Sequence, residues 1–291
     1  MTTITTNVDS NSRSSAIQAI FRTFCSDLDD HHDRRERVVK ASRDITALSK
    51  KIIFSLQRLR MVNVPVPPSI AKENQSRFDQ ITALFQSIVP DISGLNAWRY
   101  QRQISWGIQE FIEALSFLHY IQTQTLISPA EVAAQLPPGV MVTEEDYLMG
   151  ILDLTGEMMR FAVTVLSTGG QIEKPNSTST TTAATYTTNT INIDSTSESP
   201  KSPPRPQLQA TQGQLVIDLR SMRANVELLK VPRQHGSYMM RELHKKVDVM
   251  QSSVEKVERA AYGILVRGSE RPTGWTPDLS SAAAITEVES Y

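Results

Sequence analysis

Apolar residues recur every three or four positions along most of the chain, which is the spacing of an amphipathic α-helix. The first stretch has apolar residues at Ile17, Ile20, Phe21, Phe24 and Leu28. A second stretch continues it, with apolar residues at Val38, Ile45, Leu48, Ile52, Leu56 and Leu59. Prolines at positions 65, 67 and 68 end this pattern, because proline lacks the N–H that a helix interior needs.

The same spacing predicts six further helices. They cover roughly residues 78–88, 94–126, 129–136, 144–166, 216–231 and 240–265. Ser128 and Glu131 form a capping box around Pro129, and Thr143 precedes three acidic residues, so two of these helices have clear N-terminal signals. The last stretch keeps an alternating three–four spacing over about three heptads, which is typical of a long packed helix.

Three segments lack this spacing. Residues 168–213 are rich in Ser and Thr and then in Pro, which favours an insert without fixed structure. The polar N-terminus, 1–13, is predicted to be disordered, and 271–291 to be a loose tail. The sequence therefore predicts an all-α, seven-helix bundle over residues 14–270, with the disordered insert before its last two helices.

The composition of the 291 residues narrows the class of protein. Hydrophobic residues make up 40% of the chain, while Gly is sparse and aromatics are only 6%, as in a helical protein with a sizeable core. A single cysteine, Cys25, excludes a disulfide framework. No signal peptide and no run of 18 apolar residues is present, so we expect no membrane contact and a cytoplasmic and nuclear location.

One stretch is strongly basic although the net charge of the chain is only −1. Between Arg34 and Arg60 only Glu36 and Asp44 oppose the basic residues. These are Arg34, Arg35, Arg37, Lys40, Arg43, Lys50, Lys51, Arg58 and Arg60. Such a stretch either follows the phosphates of a nucleic acid or forms the solvated face of an amphipathic helix, and the pattern alone leaves both interpretations open.

A pair of glutamates is the best candidate for chemistry. Glu110 and Glu113 are three residues apart on a predicted helix, so they project from one side, opposite the apolar face. The same side of the helix carries three aromatic residues, Trp106, Phe117 and Tyr120. They limit the solvation of the two glutamates, which favours a raised pKa of both carboxyl groups unless a cation binds. Mg²⁺ suits two carboxylates and water, but ion pairs with Arg or Lys of a neighbouring helix would also satisfy them.

No other common site pattern occurs in the sequence. It has no Gly-rich phosphate loop, no zinc-type spacing and no nucleophile elbow. His31 and His32 are adjacent, so on a helix their side chains diverge. Asp153 and Glu157 are four residues apart with Arg160 nearby, which predicts salt bridges rather than a site.

Four long stretches resemble the translin family in the same order. They are HDRRERVVKASRDITALSKKIIFSLQR within residues 30–60, SWGIQEFIEALSFLHYIQTQTLIS at 105–128, DYLMGILDLTGEMMRFAV at 146–163 and KVERAAYGILVRGSE at 256–270. The resemblance covers nearly all of the chain except the ends and the insert. The SRDIT run and the VRGSE ending favour the branch that associates with translin over translin itself.

This resemblance implies a seven-helix bundle that joins a translin subunit in a closed hetero-oligomer binding single-stranded RNA or DNA. It also implies a Mg²⁺-dependent endoribonuclease, with Glu110 and Glu113 as metal-binding and catalytic carboxylates. Arg34, Arg35, Arg37 and Lys40 are then candidates for guiding the nucleic acid or for a subunit contact, and the sequence does not separate these two roles.

The resemblance also implies a third acidic residue on the helix after the insert, and here the chain departs from the expected pattern. Aligning the apolar positions places Ala224 there, with Asp218 and Glu227 nearby but on other faces. A non-catalytic scaffold, which binds a translin partner and nucleic acid without cleavage, is therefore an alternative. A purely structural helical adaptor is a third possibility.

Overall fold

Seven α-helices and no strand form the part of the chain described by the computed structural model, which is residues 7–167, 210–229 and 238–267. They are α1 (Asn7–Leu56), α2 (Pro68–Ile88), α3 (Leu95–Thr123), α4 (Pro129–Ala134), α5 (Glu144–Ser167), α6 (Ala210–Glu227) and α7 (Tyr238–Arg267). The predicted all-α, seven-helix fold is confirmed. None of the described helices is both long enough and apolar enough to cross a membrane.

Side-chain hydrogen bonds cap the N-termini of α4 and α5, the two helix starts that the sequence predicted most clearly. The Ser128 hydroxyl accepts the N–H of Glu131 and the Glu131 carboxylate accepts the N–H of Ser128, which completes the capping box before α4. The Thr143 hydroxyl accepts the N–H of Asp146 at 3.1 Å before α5. Both caps occupy backbone donors that a helix otherwise leaves unpaired.

The centre of the bundle is formed by α1, α3 and α5, with α2 against α1 and with α6 and α7 against α5. The contacts His31–Tyr100, Ser42–Gly107 and Lys50–Glu110 advance along α1 and α3 together, so these two helices run in the same direction. The largest fully buried side chains of the core come from these elements. They include Ile52, Phe85, Ile108, Phe111, Phe117 and Phe161.

Two glycines allow α3 to approach its neighbours closely. The N–H of Gly107 donates to the Ser42 hydroxyl of α1 at 3.1 Å, and a Cβ at this position would lie 3.0–3.1 Å from Ser42. At Gly150 of α5, a Cβ would lie 2.8 Å from side-chain carbons of Ile112. The absence of a side chain at these two points therefore fixes how near α1 and α5 lie to α3.

The ends of the elements differ in part from the sequence prediction. α1 begins at Asn7, so residues 7–13 are helical where a disordered segment was expected, and α6 begins at Ala210, inside the predicted 168–213 insert. Extending an existing helix by a turn costs little free energy compared with nucleating a new one. This explains why α1 and α6 both extend into polar residues at their N-termini. The rest of the insert and the predicted 271–291 tail lie outside the described residues.

Candidate metal and nucleic-acid site

Glu110 and Glu113 lie in the C-terminal half of α3, which packs against α1 and α5. Glu113 is only 7% exposed, and the side chain of Glu110 is 19% exposed. Trp106 lies one turn before them and is 53% exposed, whereas Phe117 and Tyr120 beyond them are buried. The side of α3 that carries the glutamates is therefore open to solvent before the pair and covered after it.

Two acidic residues of α5 complete a carboxylate cluster, which consists of Glu110, Glu113, Asp153 and Glu157. The charges of Asp153, Glu110 and Glu157 all act on Glu113. Glu157 accepts hydrogen bonds from Gln57 at 2.7 Å and from Arg160 at 2.5 Å, so its charge is well satisfied. The predicted salt bridge between Glu157 and Arg160 is thus confirmed.

Two lysines supply positive charge to the cluster. Lys246 of α7 donates to the Asp153 carboxylate at 2.5 Å, and its side chain is 18% exposed. Lys50 of α1 lies 3.3 Å from the Glu110 carboxylate but is largely exposed, so this ion pair contributes little to stability. Asp153 therefore pairs with a lysine of another helix, and not with Arg160 as the sequence suggested.

Glu113 is the one member of the carboxylate cluster whose carboxylate has no hydrogen bond or ion pair among the described residues. Burial, reinforced by the charges of Asp153, Glu110 and Glu157, raises the pKa of Glu113 to about 9. Burial also raises the pKa of Glu110 and of Asp153, although Lys50 and Lys246 oppose this rise. A largely buried carboxylate without a protein partner favours the binding of a proton or a cation.

The donor chemistry of this cluster fits a hard divalent cation. Mg²⁺ is usually bound by one or two carboxylates and keeps several waters, and Glu110 and Glu113 can supply two carboxylates. Over residues 7–167, 210–229 and 238–267, no three His, Cys, Asp or Glu side chains converge closely enough to hold a metal by themselves. Glu110 and Glu113 would thus be the direct ligands, with Asp153 tied to Lys246 beside them.

The described part of α6, the helix after the insert, contributes no carboxylate to the cluster. Ala224 is exposed on α6. Asp218 accepts the Tyr120 hydroxyl at 2.6 Å, and Glu227 is bound to Arg223 and Gln251, so neither joins the cluster. Asp153 of α5 is the third carboxylate whose charge acts on both glutamates. Sequence spacing could not reveal this, because forty residues separate Asp153 from Glu113.

The four basic candidates of α1 do not share one face. Arg37 makes two hydrogen bonds, 2.9 and 2.7 Å long, to the Asp91 carboxylate, which is 10% exposed. Arg35 pairs with the adjacent Glu36, while Arg34 is half-buried and Lys40 is exposed. Arg37 therefore connects α1 to the turn after α2, and Lys40 remains the member of this group best placed for a partner.

The different roles of Arg37 and Lys40 can be separated by mutation. We expect Arg37→Gln to lower the melting temperature by a few degrees, because it leaves the nearly buried Asp91 carboxylate without its bidentate partner. Lys40→Gln removes the same charge from an exposed position and should leave the melting temperature unchanged. Equal melting temperatures for the two variants in a thermal unfolding experiment would contradict the structural role of Arg37.

Comparison with known proteins identifies the family. The sequence pattern of the translin family matches residues 33–268, which covers all seven helices at least in part and includes the whole carboxylate cluster. The chain belongs to the translin family. Its fold agrees with this membership: the crystal structure of apo-NeC3PO, at 16% sequence identity, superposes with a TM-score of 0.52 and covers 89% of this chain and 99% of the other.

Within the translin family, the chain is similar to translin-associated protein X. The protein of that name from Rattus norvegicus is 30% identical over 294 aligned positions, covering 93% of this chain and 86% of the relative. The translin-associated protein X homolog of Schizosaccharomyces pombe is 27% identical, over 86% and 89% of the two chains. Translin of Gallus gallus is 23% identical over only 48% of this chain and 69% of its own.

Proposed function

We propose that this chain is the nuclease subunit of a hetero-oligomer with translin, and that it cleaves single-stranded RNA with Mg²⁺ held by Glu110 and Glu113. The observation that carries the proposal is the Glu113 carboxylate, which is buried beside Glu110 and Asp153 without a hydrogen-bond partner in the described part of the chain. Natural proteins retain such an arrangement at a cost in stability, which is typical of a functional site.

Mg²⁺ bound there would supply a water-derived nucleophile and stabilise the charge that grows on a phosphoryl oxygen. The residues of the chain have complementary tasks. Glu110 and Glu113 would provide the oxygen ligands, while Lys246 of α7 donates to Asp153 at 2.5 Å and opposes the rise that burial causes in the pKa of Asp153. Lys50 is exposed at the rim beside Glu110, where its ammonium can pair with a phosphate of the RNA.

The assembly with translin rests on two observations. The relatives that align over most of this chain are named translin-associated protein X. The N-terminal half of α1 also carries an apolar stripe that no described residue covers, as expected for a surface buried in an assembly. Its members, each more than half exposed, are Ile17, Ile20, Phe21, Phe24 and Leu28. The predicted cytoplasmic and nuclear location suits such an RNA-processing complex.

A non-catalytic scaffold is the second candidate, and one contact favours it. Lys246 already neutralises Asp153, and the remaining pair of glutamates can hold a divalent cation only weakly. In this case the chain would keep the assembly and RNA binding but would not cleave. The two candidates therefore differ in one observable, which is Mg²⁺-dependent cleavage.

The experiment co-expresses this chain with its translin partner and follows a labelled single-stranded RNA in Mg²⁺ and in EDTA. We expect the wild-type complex to cleave the RNA in Mg²⁺ but not in EDTA. The complex with the Glu110→Gln, Glu113→Gln double variant should not cleave in either condition, although it still assembles and binds RNA. Glu73→Gln, which removes an exposed carboxylate of α2, is the matched control and should cleave normally. Equal cleavage by the double variant and wild type would contradict the catalytic assignment. Tight RNA binding by the wild-type complex without any cleavage would establish the scaffold.

A further inference from the structure

Trp106 is placed on the side of α3 that leads into the carboxylate cluster. It precedes Glu110 by four residues and Glu113 by seven, so the three side chains project from one side of the helix. The rise between Trp106 and Glu110 is about 6 Å along the axis. The indole is 53% exposed, whereas the aromatic residues farther along this side, Phe117 and Tyr120, are buried under the bundle.

Two helices place basic residues on the side of the bundle that carries this indole. Gly107, the next residue of α3, contacts Ser42 of α1, which brings α1 beside the indole. Arg43 follows Ser42, is exposed, and precedes Lys50 by seven residues, so it lies on the side of α1 that meets Glu110. On α3, the exposed Arg102 lies one turn before Trp106. An exposed aromatic side chain with basic neighbours is the usual composition of a single-strand-binding groove.

We propose that Trp106 is a stacking platform for one base of the RNA, positioned so that the neighbouring phosphate reaches Glu110 and Glu113. The inference deepens the proposed function and rests on it. A base has an apolar face whatever its identity, so stacking on an indole binds single strands without selecting a sequence. Double-stranded RNA, whose bases are already stacked on each other, would be excluded from this subsite.

The surroundings of Trp106 favour RNA over a second protein subunit as its partner. The glutamates lie one and two turns beyond Trp106 on the same side of α3, and a substrate must reach them from that side. A subunit that covered the indole would also cover this approach. Charged residues flank Trp106 on this side of α3, with Arg102 one turn before it and Glu110 one turn after it. The centre of a protein interface, by contrast, is depleted of charged residues.

The test measures binding of a labelled oligouridine to the co-expressed complex by fluorescence anisotropy, in EDTA so that no cleavage occurs. Trp106→Ala and Trp106→Leu should weaken binding by roughly 5- to 100-fold, because a stacked base is lost. Trp106→Phe, which keeps an aromatic ring, should remain within about 3-fold of wild type. Trp98→Ala is the matched control: it removes a tryptophan of α3 that is 70% exposed but lies twelve residues before Glu110, about 18 Å away along the helix axis.

Salt dependence and complex mass give two independent readouts. Trp106→Ala should leave the slope of log affinity against log salt unchanged, while Arg43→Gln should reduce it by about one, because only the arginine neutralises a phosphate. Equal RNA affinity for Trp106→Ala and wild type would overturn the inference. So would a change in the mass of the Trp106→Leu complex by light scattering, which would place the indole in a subunit contact. If the wild-type complex binds no RNA, the proposed function fails and this inference with it.

Discussion

Replacing Glu113 by Gln is expected to raise the free energy of unfolding of the metal-free protein by about 5 kcal/mol at pH 8.5. The pKa of Glu113 is about 9 in the folded chain, well above the ordinary value of a glutamate in an unfolded chain. The folded state therefore holds a proton that the unfolded state has released. This contribution to stability is fully present below the unfolded pKa and is lost as the pH rises through the folded value. The glutamine introduced by the change has no such proton to lose.

The measurement is thermal unfolding of wild type and Glu113→Gln at pH 5 and pH 8.5 in EDTA. We expect the gap between their melting temperatures to be small at pH 5 and to widen to about ten degrees or more at pH 8.5. Glu157→Gln is the matched control, because Glu157 is a buried member of the same cluster but accepts two hydrogen bonds. It should lower the melting temperature. A gap between wild type and Glu113→Gln that is the same at both pH values would show that Glu113 is not buried as described.

Addition of Mg²⁺ should narrow the difference in stability between wild type and Glu113→Gln at pH 8.5. A ligand that binds only the folded state stabilises it by an amount that grows with its concentration relative to the dissociation constant. Wild type should therefore gain melting temperature as Mg²⁺ is added, while Glu113→Gln, which lacks one ligand, should gain less.

Gly150→Ala is expected to lower the free energy of unfolding by about 2–3 kcal/mol. A Cβ at this position would lie 2.8 Å from carbons of Ile112 and 2.9 Å from the carbonyl oxygen of Gln109, so α3 and α5 must separate. Their contact also holds Asp153 beside Glu113. The change should therefore weaken both the bundle and the cluster, although alanine is otherwise the better helix residue by about 1 kcal/mol.

Gly156→Ala is the matched control for this prediction, since it lies on the same helix with no atom within 4 Å of its Cβ position. Its free energy of unfolding should rise by about 0.5–1 kcal/mol, from helix propensity alone. Chemical denaturation of both variants measures the two changes. Stabilisation by Gly150→Ala as well would mean that α3 and α5 are not in close contact at this point.

Local signals in the sequence were sufficient for most of the helices. The capping box at Ser128 and the cap at Thr143 depend on residues within three positions of each other, and both were confirmed. The proline run was interpreted as the end of a helix, and in the structure Pro68 also begins α2, because proline fits the first helical turn. Helix ends such as Asn7 were less predictable, since polar residues can extend a helix that apolar contacts have already formed.

The candidate site was predictable only where its residues are close in the sequence. Glu110 and Glu113 are three residues apart, so helical periodicity identified them together. Asp153 and Lys246 join them from α5 and α7, and no spacing rule connects residues so far apart. The interpretation of Asp153 as a partner of Arg160 failed for the same reason: local spacing favours a local ion pair, but the ammonium of Lys246 lies at 2.5 Å.

The sequence by itself determined the all-α class, the helices and the paired glutamates, because helix periodicity, caps and breakers act between residues only a few positions apart. Only the tertiary structure decided which charges surround those glutamates and which aromatic residue stays exposed. Trp106, Phe117 and Tyr120 share one side of α3, yet only the latter two are covered by the bundle. Burial depends on which helices cover a surface, and so it sets the pKa of Glu113 and leaves Trp106 open to a partner.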